Sequence, residues 1–409
     1  MTDPRPLLWI DATRAAAGFS LWGMTLVERL LREGARRGLH QAIVVVDAQS
    51  RQQTTRLRGD LSRLFDIDVR IVESAEEQQV RLHLDEHDTP SLLYFDGDVV
   101  HDDRVIDHLL SSGPGHAVAG AQACAAHLAT ATLQSLPPGA AVTGLADVRA
   151  TELESLGHYV PELRLTMVPF LVRIGDCDDL RRVDRLLYHR TFKGVIDVVA
   201  RYGYYHFVRF TTRWLSRMEV SPNLLTLLSI LGIWAAIPCF ATGQIGWGIL
   251  SAWVGVILDS VDGKLARLTV NLSDAMGALE HAAAMPGLGL WFVALGWFLA
   301  DGELLSSTPA SISCWLLVSA FLADKVVSGT FKKVYGYELF DARPLDAAFH
   351  LIAARRNIHL LLLTVGAISD SIATAFECMA AGMVASFLFH LARFGWITIT
   401  GPHQVKADG

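Results

Sequence analysis

The run Asp259-Ser-Val-Asp262-Gly263-Lys-Leu-Ala266-Arg267 closes a long apolar segment, and its reading decides how this 409-residue chain is organised. Written as a helix, Asp259, Asp262, Gly263, Ala266 and Arg267 fall at i, i+3, i+4, i+7 and i+8, on one stripe. Two carboxylates on that stripe can share a divalent cation. Gly263 and Ala266 leave room for a ligand against the backbone, and Arg267 adds a fixed positive charge suited to phosphate. Two acids and an arginine at a membrane boundary are costly unless they face a polar cavity, so the stripe predicts one.

Around the stripe, hydropathy divides the chain. Its mean hydropathy is +0.33, unevenly spread, and the length suggests two or more domains. The first half is charged and reads as soluble. From Leu224 onward long apolar runs dominate and predict membrane-embedded helices. A net charge of −7 without a basic block argues against a nucleic-acid partner. The five cysteines, Cys124, Cys177, Cys239, Cys314 and Cys378, lie far apart without metal-type spacing and read as free thiols. Met1–Pro6 lacks an apolar signal core, so the first domain is expected to stay in the cytoplasm.

Six spans fit the second half, at about 224–243, 245–262, 286–301, 311–328, 357–370 and 374–394. The connections at 241–246, 301–310 and 370–374 contain no Lys or Arg. Lys264, Arg267, Lys332, Lys333, Arg343, Arg355 and Arg356 all fall on the opposite side, which predicts cytoplasmic termini. Ahead of the first span, 178–220 interleaves arginines (Arg181 to Arg217) with Tyr202, Tyr204, Tyr205, Phe207, Phe210 and Trp214. That composition predicts amphipathic helices lying against an anionic membrane surface.

Residues 6–175 alternate as an α/β domain. Leu7–Ile10, Ala42–Asp47, Val69–Val72 and Ser91–Phe95 read as strands, and Gly23–Gly38 as a helix with Leu26, Leu30 and Leu31 on one side. The run Asp96-Gly97-Asp98 then places acids at the C-terminal end of a strand, the edge where open α/β sheets bind ligands. A solvated turn is the alternative reading of these acids.

The stripe, followed after nine residues by Gly277, resembles the first half of the CDP-alcohol phosphotransferase signature, which continues Gly-x-x-x-Asp-x-x-x-Asp. Counting from Gly277 places His281 and Met285 at the two aspartates. Matching Leu279-Glu280-His281 to a Leu-Asp-His variant makes Glu280 the third acid and Ala284 the fourth position. Both registers lose the last carboxylate. Pro222-Asn223-Leu-Leu-Thr226 resembles the family's start of its first spanning helix, and Pro222 suits a helix start. Phe349–Asn357, ending in Arg355-Arg356-Asn357, resembles a segment of the bacterial members that carry Leu-Asp-His; it reads as a grip for acceptor or donor phosphate, or as a positive-inside anchor.

The strand order at 6–175 resembles the sugar-nucleotidyltransferase domains that some family members carry as N-terminal fusions. In those a strand-end Asp helps hold Mg²⁺ and nucleotide, a role that Asp98 would inherit. Asp11–Ser20 has one glycine, Gly18, where the nucleotide loop is glycine-rich, and Tyr204-Tyr205 stands where related fusions carry an Asn-Arg pair.

The resemblance implies a Rossmann-like, nucleotidyltransferase-like α/β domain at 1–177, an amphipathic linker at 178–220 and an all-α, six-helix membrane domain at 221–400. The membrane domain would sit in a bacterial-type inner or plasma membrane, in contact with its lipids. It also implies an enzyme that displaces CMP from a CDP-linked lipid or alcohol donor with an alcohol acceptor. Asp259, Asp262 and Glu280 would ligate Mg²⁺ or Mn²⁺, and Asp262, Gly263, Ala266 and Arg267 would border the CMP moiety. Arg355 and Arg356 would bind phosphate, with Asp96 and Asp98 as the N-terminal site. The family's last Asp deprotonates the attacking alcohol, and neither Ala284 nor Met285 accepts a proton. That leaves His281 or Glu280 as the catalytic base, or an acceptor needing little help. The alternative is an inactive relative that binds CDP-lipid or lipid as a regulator or scaffold. A transporter ranks third, because six spans fit but no internal repeat is evident. For His359 and His390 ordinary packing is the expectation. A homodimer through the spanning helices is carried over from the family.

Overall fold

The computed structural model describes residues 5–47, 64, 66–84, 89–120, 124–136, 148–160, 163 and 165–401. The N-terminal residues bearing on a signal sequence, 1–4, lie outside them. The chain divides into two compact units. One takes Met1–Val160, Thr166–Arg190 and Leu268–Asn271, and the other takes Pro161–Leu165, Thr191–Arg267 and Leu272–Gly409.

The first unit is a mixed seven-stranded sheet with helices. Its strands are β1 (Leu7–Ala12), β2 (Gln41–Val46), β3 (Asp68–Glu73), β4 (Ser91–Asp96), β6 (His116–Ala119), β7 (Cys124–Ala129) and β8 (Arg149–Glu152). They lie in the order β8-β6-β7-β4-β1-β2-β3. A short β5 (Val99–His101) pairs antiparallel with β9 (Leu171–Arg173) beside it. Strands β4, β1, β2 and β3 run parallel, and β7 is antiparallel to both β4 and β6. The four strands expected from the sequence are β1 to β4, which lie side by side and parallel. The near-continuous apolar runs of β1, β2 and β4 follow from burial on both faces, whereas the edge strand β3 alternates and is largely uncovered. Leu8 and Ile10 pack with Val27, Leu30 and Leu31 of helix α1 (Leu26–Arg36) on one face. Leu7 and Trp9 pack with Ile43 and Val45 on the other. Phe95 is fully buried, and a cavity in its place would cost about 3–5 kcal/mol. Helix α1 is shorter than 23–38 because Thr25 caps it, accepting from Glu28 N at 3.2 Å. Gly23 and Gly38, at φ 82° and 78°, turn the chain at either end.

The second unit is helical. After α2 (Asp103–Ser112) and α3 (Cys177–His189) of the first unit come α4 (Tyr205–Arg217), α5 (Pro222–Ala241), α6 (Ile245–Leu268), α7 (Asp274–Leu299), α8 (Pro309–Tyr335), α9 (Pro344–His350), α10 (Arg356–Ile368) and α11 (Ile372–Thr400). Five of these, α5 to α8 and α11, are long and apolar enough to cross a membrane. The sixth expected span corresponds to α10, which has 13 residues. At 1.5 Å per residue it reaches about 20 Å, short of a ~30 Å core. Against the six spans expected, the described residues hold five candidate spans and one short apolar helix. Helix α4 is amphipathic as expected, burying Val208, Thr212 and Leu215 and exposing Phe207, Phe210 and Trp214.

Helices α5 and α6 approach backbone to backbone. A Cβ on Gly232 would stand 2.9 Å from Gly255 Cα, and one on Gly255 would stand 2.7 Å from Ile233 N. Ser251 Oγ seals the contact by donating to Gly232 O at 2.9 Å. Small residues at a helix crossing permit this distance, and it brings the start of α5 beside the stripe at the end of α6.

A buried ionic cluster ties α1 to β5. Glu33 receives Arg29 Nε at 3.0 Å and lies 3.0 Å from His101 Nε2. Burial opposes the Glu33 carboxylate, but His101 and Arg29 outweigh it and hold its pKa at about 2. His101 is raised above 6.5; burial opposes this shift and Glu33 drives it. The depressed acid contributes stability present above pH 4.5 and lost as pH falls through about 2. The raised histidine contributes stability present below pH 6.5 and lost as pH rises through its folded value. Comparing thermal unfolding of the wild type with Glu33→Gln should therefore show the largest difference between pH 4.5 and 6.5. The difference should shrink on both sides, and a flat difference across pH would contradict the pairing.

Candidate functional site

Helix α6 carries Asp259, Asp262, Gly263, Ala266 and Arg267 as an unbroken helical stripe. Asp262 is 2% exposed. Thr226, from the Pro222-Asn223-x-x-Thr226 start of α5, lies beside it and donates its hydroxyl to Pro222 O at 3.2 Å. Asp259 receives Arg356 Nη2 in a direct ion pair. One oxygen of each acid, Asp259 Oδ1 and Asp262 Oδ2, is buried without a hydrogen-bond partner. The Arg267 guanidinium folds back over Gly263, where a Cβ would stand 3.2 Å from its Nη2. Any side chain there would have to displace the arginine.

Helix α7 supplies Glu280. It lies beside Asp259 and within electrostatic reach of Asp262, Arg356 and Arg267. Ala284, one turn on, is half-buried, whereas His281 and Met285 are exposed. Glu280, together with the half-buried Ala284, therefore faces the stripe, and His281 has no hydrogen bond or ion pair to it. The geometry brings together Asp259, Asp262, Glu280, Arg267 and Arg356. Arg355 is exposed, with Asp197, Tyr204 and Lys325 as its charged or polar neighbours. Two cations, Arg355 and Lys325, thus lie in each other's field. Lys325 on α8 was not singled out in the sequence, where a lysine beside Asp324 reads as an ordinary helix charge. His359 is buried against Phe292 at 5.1 Å, and His390 meets Asp324 Oδ1 at 2.6 Å; both are packed within the helices.

Among the described residues, no three His, Cys, Asp or Glu side chains are grouped so as to hold a metal ion. The donor chemistry nonetheless fits a hard divalent cation. Asp259 and Asp262 offer carboxylate oxygens, two of them buried and orphaned.

The first unit handles its acids differently. Asp96 ends β4 and Asp98 follows in the turn. Gly97 is required here, because a Cβ would stand 3.0 Å from Ala12 Cα and from Asp11 O. Arg173 of β9 places Nη1 2.9 Å from both Asp98 oxygens and Nη2 on Asp96. Arg14, from the loop after β1, adds a contact to Asp98 at 3.3 Å. The two acids are buried within an ion-paired cluster, unlike a solvated turn. Burial, then the neighbouring Asp98, push Asp96 up to about 6, against the pull of Arg14. Burial likewise raises Asp98. Sequence spacing gave no sign of Arg173, which lies 75 residues from Asp98.

Removing Arg173 would leave both acids buried and short of countercharge. Arg173→Ala should cost about 3 kcal/mol in denaturant unfolding at neutral pH. Asp98→Asn in the same background should restore part of that loss. An unchanged midpoint would show the pair to be unimportant.

Residues 219–330, from the start of α5 into α8, match the CDP-alcohol phosphatidyltransferase family. No curated protein matches the chain. Among solved structures the chain is similar to phosphatidylinositol phosphate synthase (PgsA1) of Mycobacterium tuberculosis, crystallised with CDP-DAG bound. The identity is 18% and the TM-score 0.36, over 46% of this chain and 94% of that one. It is also similar to HddC from Yersinia pseudotuberculosis, at 10% identity and a TM-score of 0.32, over 44% of this chain and 99% of that one. The stripe thus lies within the segment, residues 219–330, that matches the CDP-alcohol phosphatidyltransferase family.

Proposed function

We propose that the helical unit is a metal-dependent CDP-alcohol phosphotransferase. It would move a phosphatidyl or other substituted phosphate from a CDP-linked donor to an alcohol and release CMP. One observation carries this reading: Asp259, Asp262 and Glu280 converge from α6 and α7, with orphaned buried oxygens on the first two. A Mg²⁺ or Mn²⁺ ion held by Asp259 and Asp262 would neutralise the donor pyrophosphate. Arg267, folded over Gly263, borders the nucleotide side of the stripe together with Ala266. Arg355 and Lys325, two neighbouring cations, suit a phosphate group on the acceptor.

In the transfer, the acceptor oxygen forms a new bond to phosphorus while the bond from phosphorus to the CMP oxygen breaks. The hydroxyl proton must leave as that happens. Glu280 faces the acids and is the better-placed proton acceptor, and His281 is the exposed alternative. A role for Glu280 as third metal ligand is separable from the base role by measuring ion affinity in Glu280→Gln. The reading extends to a cytoplasmic α/β domain at 1–177, a membrane-surface linker at 178–220 and a membrane domain at 221–400. Both termini would be cytoplasmic and the membrane helices would form a homodimer.

A second reading is a relative that binds CDP-lipid without turnover and acts as a regulator. It is favoured by Ala284 and Met285, neither of which can take a proton, and by the closure of Arg173 over Asp96 and Asp98.

The test is CMP release from CDP-diacylglycerol by the purified chain with Mg²⁺ or Mn²⁺, across glycerol phosphate, inositol, inositol phosphate and serine. Metal- and alcohol-dependent CMP should vanish in Asp262→Ala. Glu280→Gln should slow release by about 10²–10⁴, and His281→Gln by less than ~10-fold. Lys325→Ala should raise KM for phosphorylated acceptors and leave neutral ones unaffected. CMP no higher than in Asp262→Ala, from protein that still binds CDP, would move the assignment to the regulator.

A further inference from the structure

We propose that Asn357 is a positioning residue: clamped between Asp197 and Tyr204, it fixes the adjacent Arg356 on Asp259 and thereby governs how much of Asp259 is free for a cation. This rests on the reading of Asp259 and Asp262 as the cation site.

The need for such a clamp follows from the local helix. Arg356 and Asn357 open α10, and Arg355 at its N-cap makes no side-chain cap. Two consecutive arginines at a helix N-terminus oppose the macrodipole. They stay there because carboxylates meet that end: Asp259 takes Arg356, and Asp197 takes Asn357.

The donors fit one arrangement, with Asn357 Oδ1 left buried and without a hydrogen-bond partner. Asn357 Nδ2 donates one proton to Asp197 Oδ2 at 2.7 Å and the other to the Tyr204 hydroxyl oxygen at 3.0 Å. Asp197 is acceptor-only, which fixes the orientation of the amide. Asp197 Oδ1 in turn accepts Ala200 N at 2.9 Å, and Val198 N donates to Leu351 O at 2.9 Å. With its oxygen occupied, Tyr204 is left to donate to Ser260 Oγ at 3.4 Å, and Ser260 passes its own proton to Val256 O at 3.1 Å. Burial raises the Tyr204 phenol above its usual range and keeps that proton in place. Ser260 neighbours Asp259 on α6, and Asn357 neighbours Arg356 on α10. The network therefore grips the Arg356–Asp259 pair from both helices. Asp197 and Asn357 are 4% and 7% exposed, so water does not substitute for these bonds.

If Asn357 acts in this way, losing it frees Arg356 from Asp259, and a competing cation leaves the ion site. The experiment is Mn²⁺ binding to the purified full chain, followed by electron paramagnetic resonance, for Asn357→Leu, Arg356→Gln and the double variant. Arg356→Gln should tighten Mn²⁺ about fivefold and Asn357→Leu about threefold, with the double variant no tighter than Arg356→Gln alone. The gentler Tyr204→Phe, which removes one bond, should shift affinity in the same direction by less. Wild-type affinity in folded Asn357→Leu, or additive effects, would overturn the proposal. A purely structural role would lower the unfolding midpoint without this non-additivity. Should the wild type bind no Mn²⁺, the cation reading of the site fails, and the same cycle read on thermal unfolding decides the positioning role. Coupling between positions 356 and 357 upholds the role there, and additivity removes it.

Discussion

Two carboxylates at the end of an apolar helix, Asp262 buried and Asp259 half-buried, are the constraint around which the helical unit is arranged. Asp259 and Asp262 cannot be left charged in such surroundings without compensation. Close packing at Gly232 and Gly255 sets α5 against α6, so that Thr226 lies beside Asp262. Arg356 arrives from the start of α10 to pair with Asp259. The compensation is incomplete, because one oxygen of each acid has no partner. A structure that solved only its own electrostatics would have closed those oxygens as well. These two unpartnered oxygens, with Glu280 and Arg267 nearby, are the ground for the proposed cation site.

The α/β unit meets the same problem at the end of β4 and closes it. Arg173 spans Asp96 and Asp98, and Arg14 adds a second positive charge. Acids at the C-terminal edge of a parallel sheet are well placed for ligand binding, yet here a guanidinium already satisfies them. The loop after β1 has one glycine and forms a single 3-10 turn, Ala15–Gly18, which offers little backbone for a triphosphate. The two units thus hold similar acidic pairs in opposite states.

How far the sequence revealed this depended on the range of each interaction. The stripe was legible because its members lie within nine residues on one helix, where spacing translates directly into geometry. Strands β1, β2 and β4 were legible from continuous β-branched and apolar runs. The sixth span has less support than the other five, because apolarity persists through 357–370 while the turn at Ser369–Ser371 stops α10 after 13 residues. The register after Gly277 stayed open because two spacings fitted equally well, and only helix packing turns Glu280 rather than His281 toward the stripe. Contacts such as Asn357 with Asp197, 160 residues apart, or Arg173 with Asp98, have no local signature at all.

The central claim is that the α6 and α7 carboxylates form a cation-dependent site for the CDP moiety. The most direct measurement is calorimetric titration of CDP into the purified chain with and without Mg²⁺, alongside Asp262→Asn. The account predicts CDP binding that requires Mg²⁺ and is lost in the variant. Binding that is unchanged by Mg²⁺ and by the substitution would contradict it.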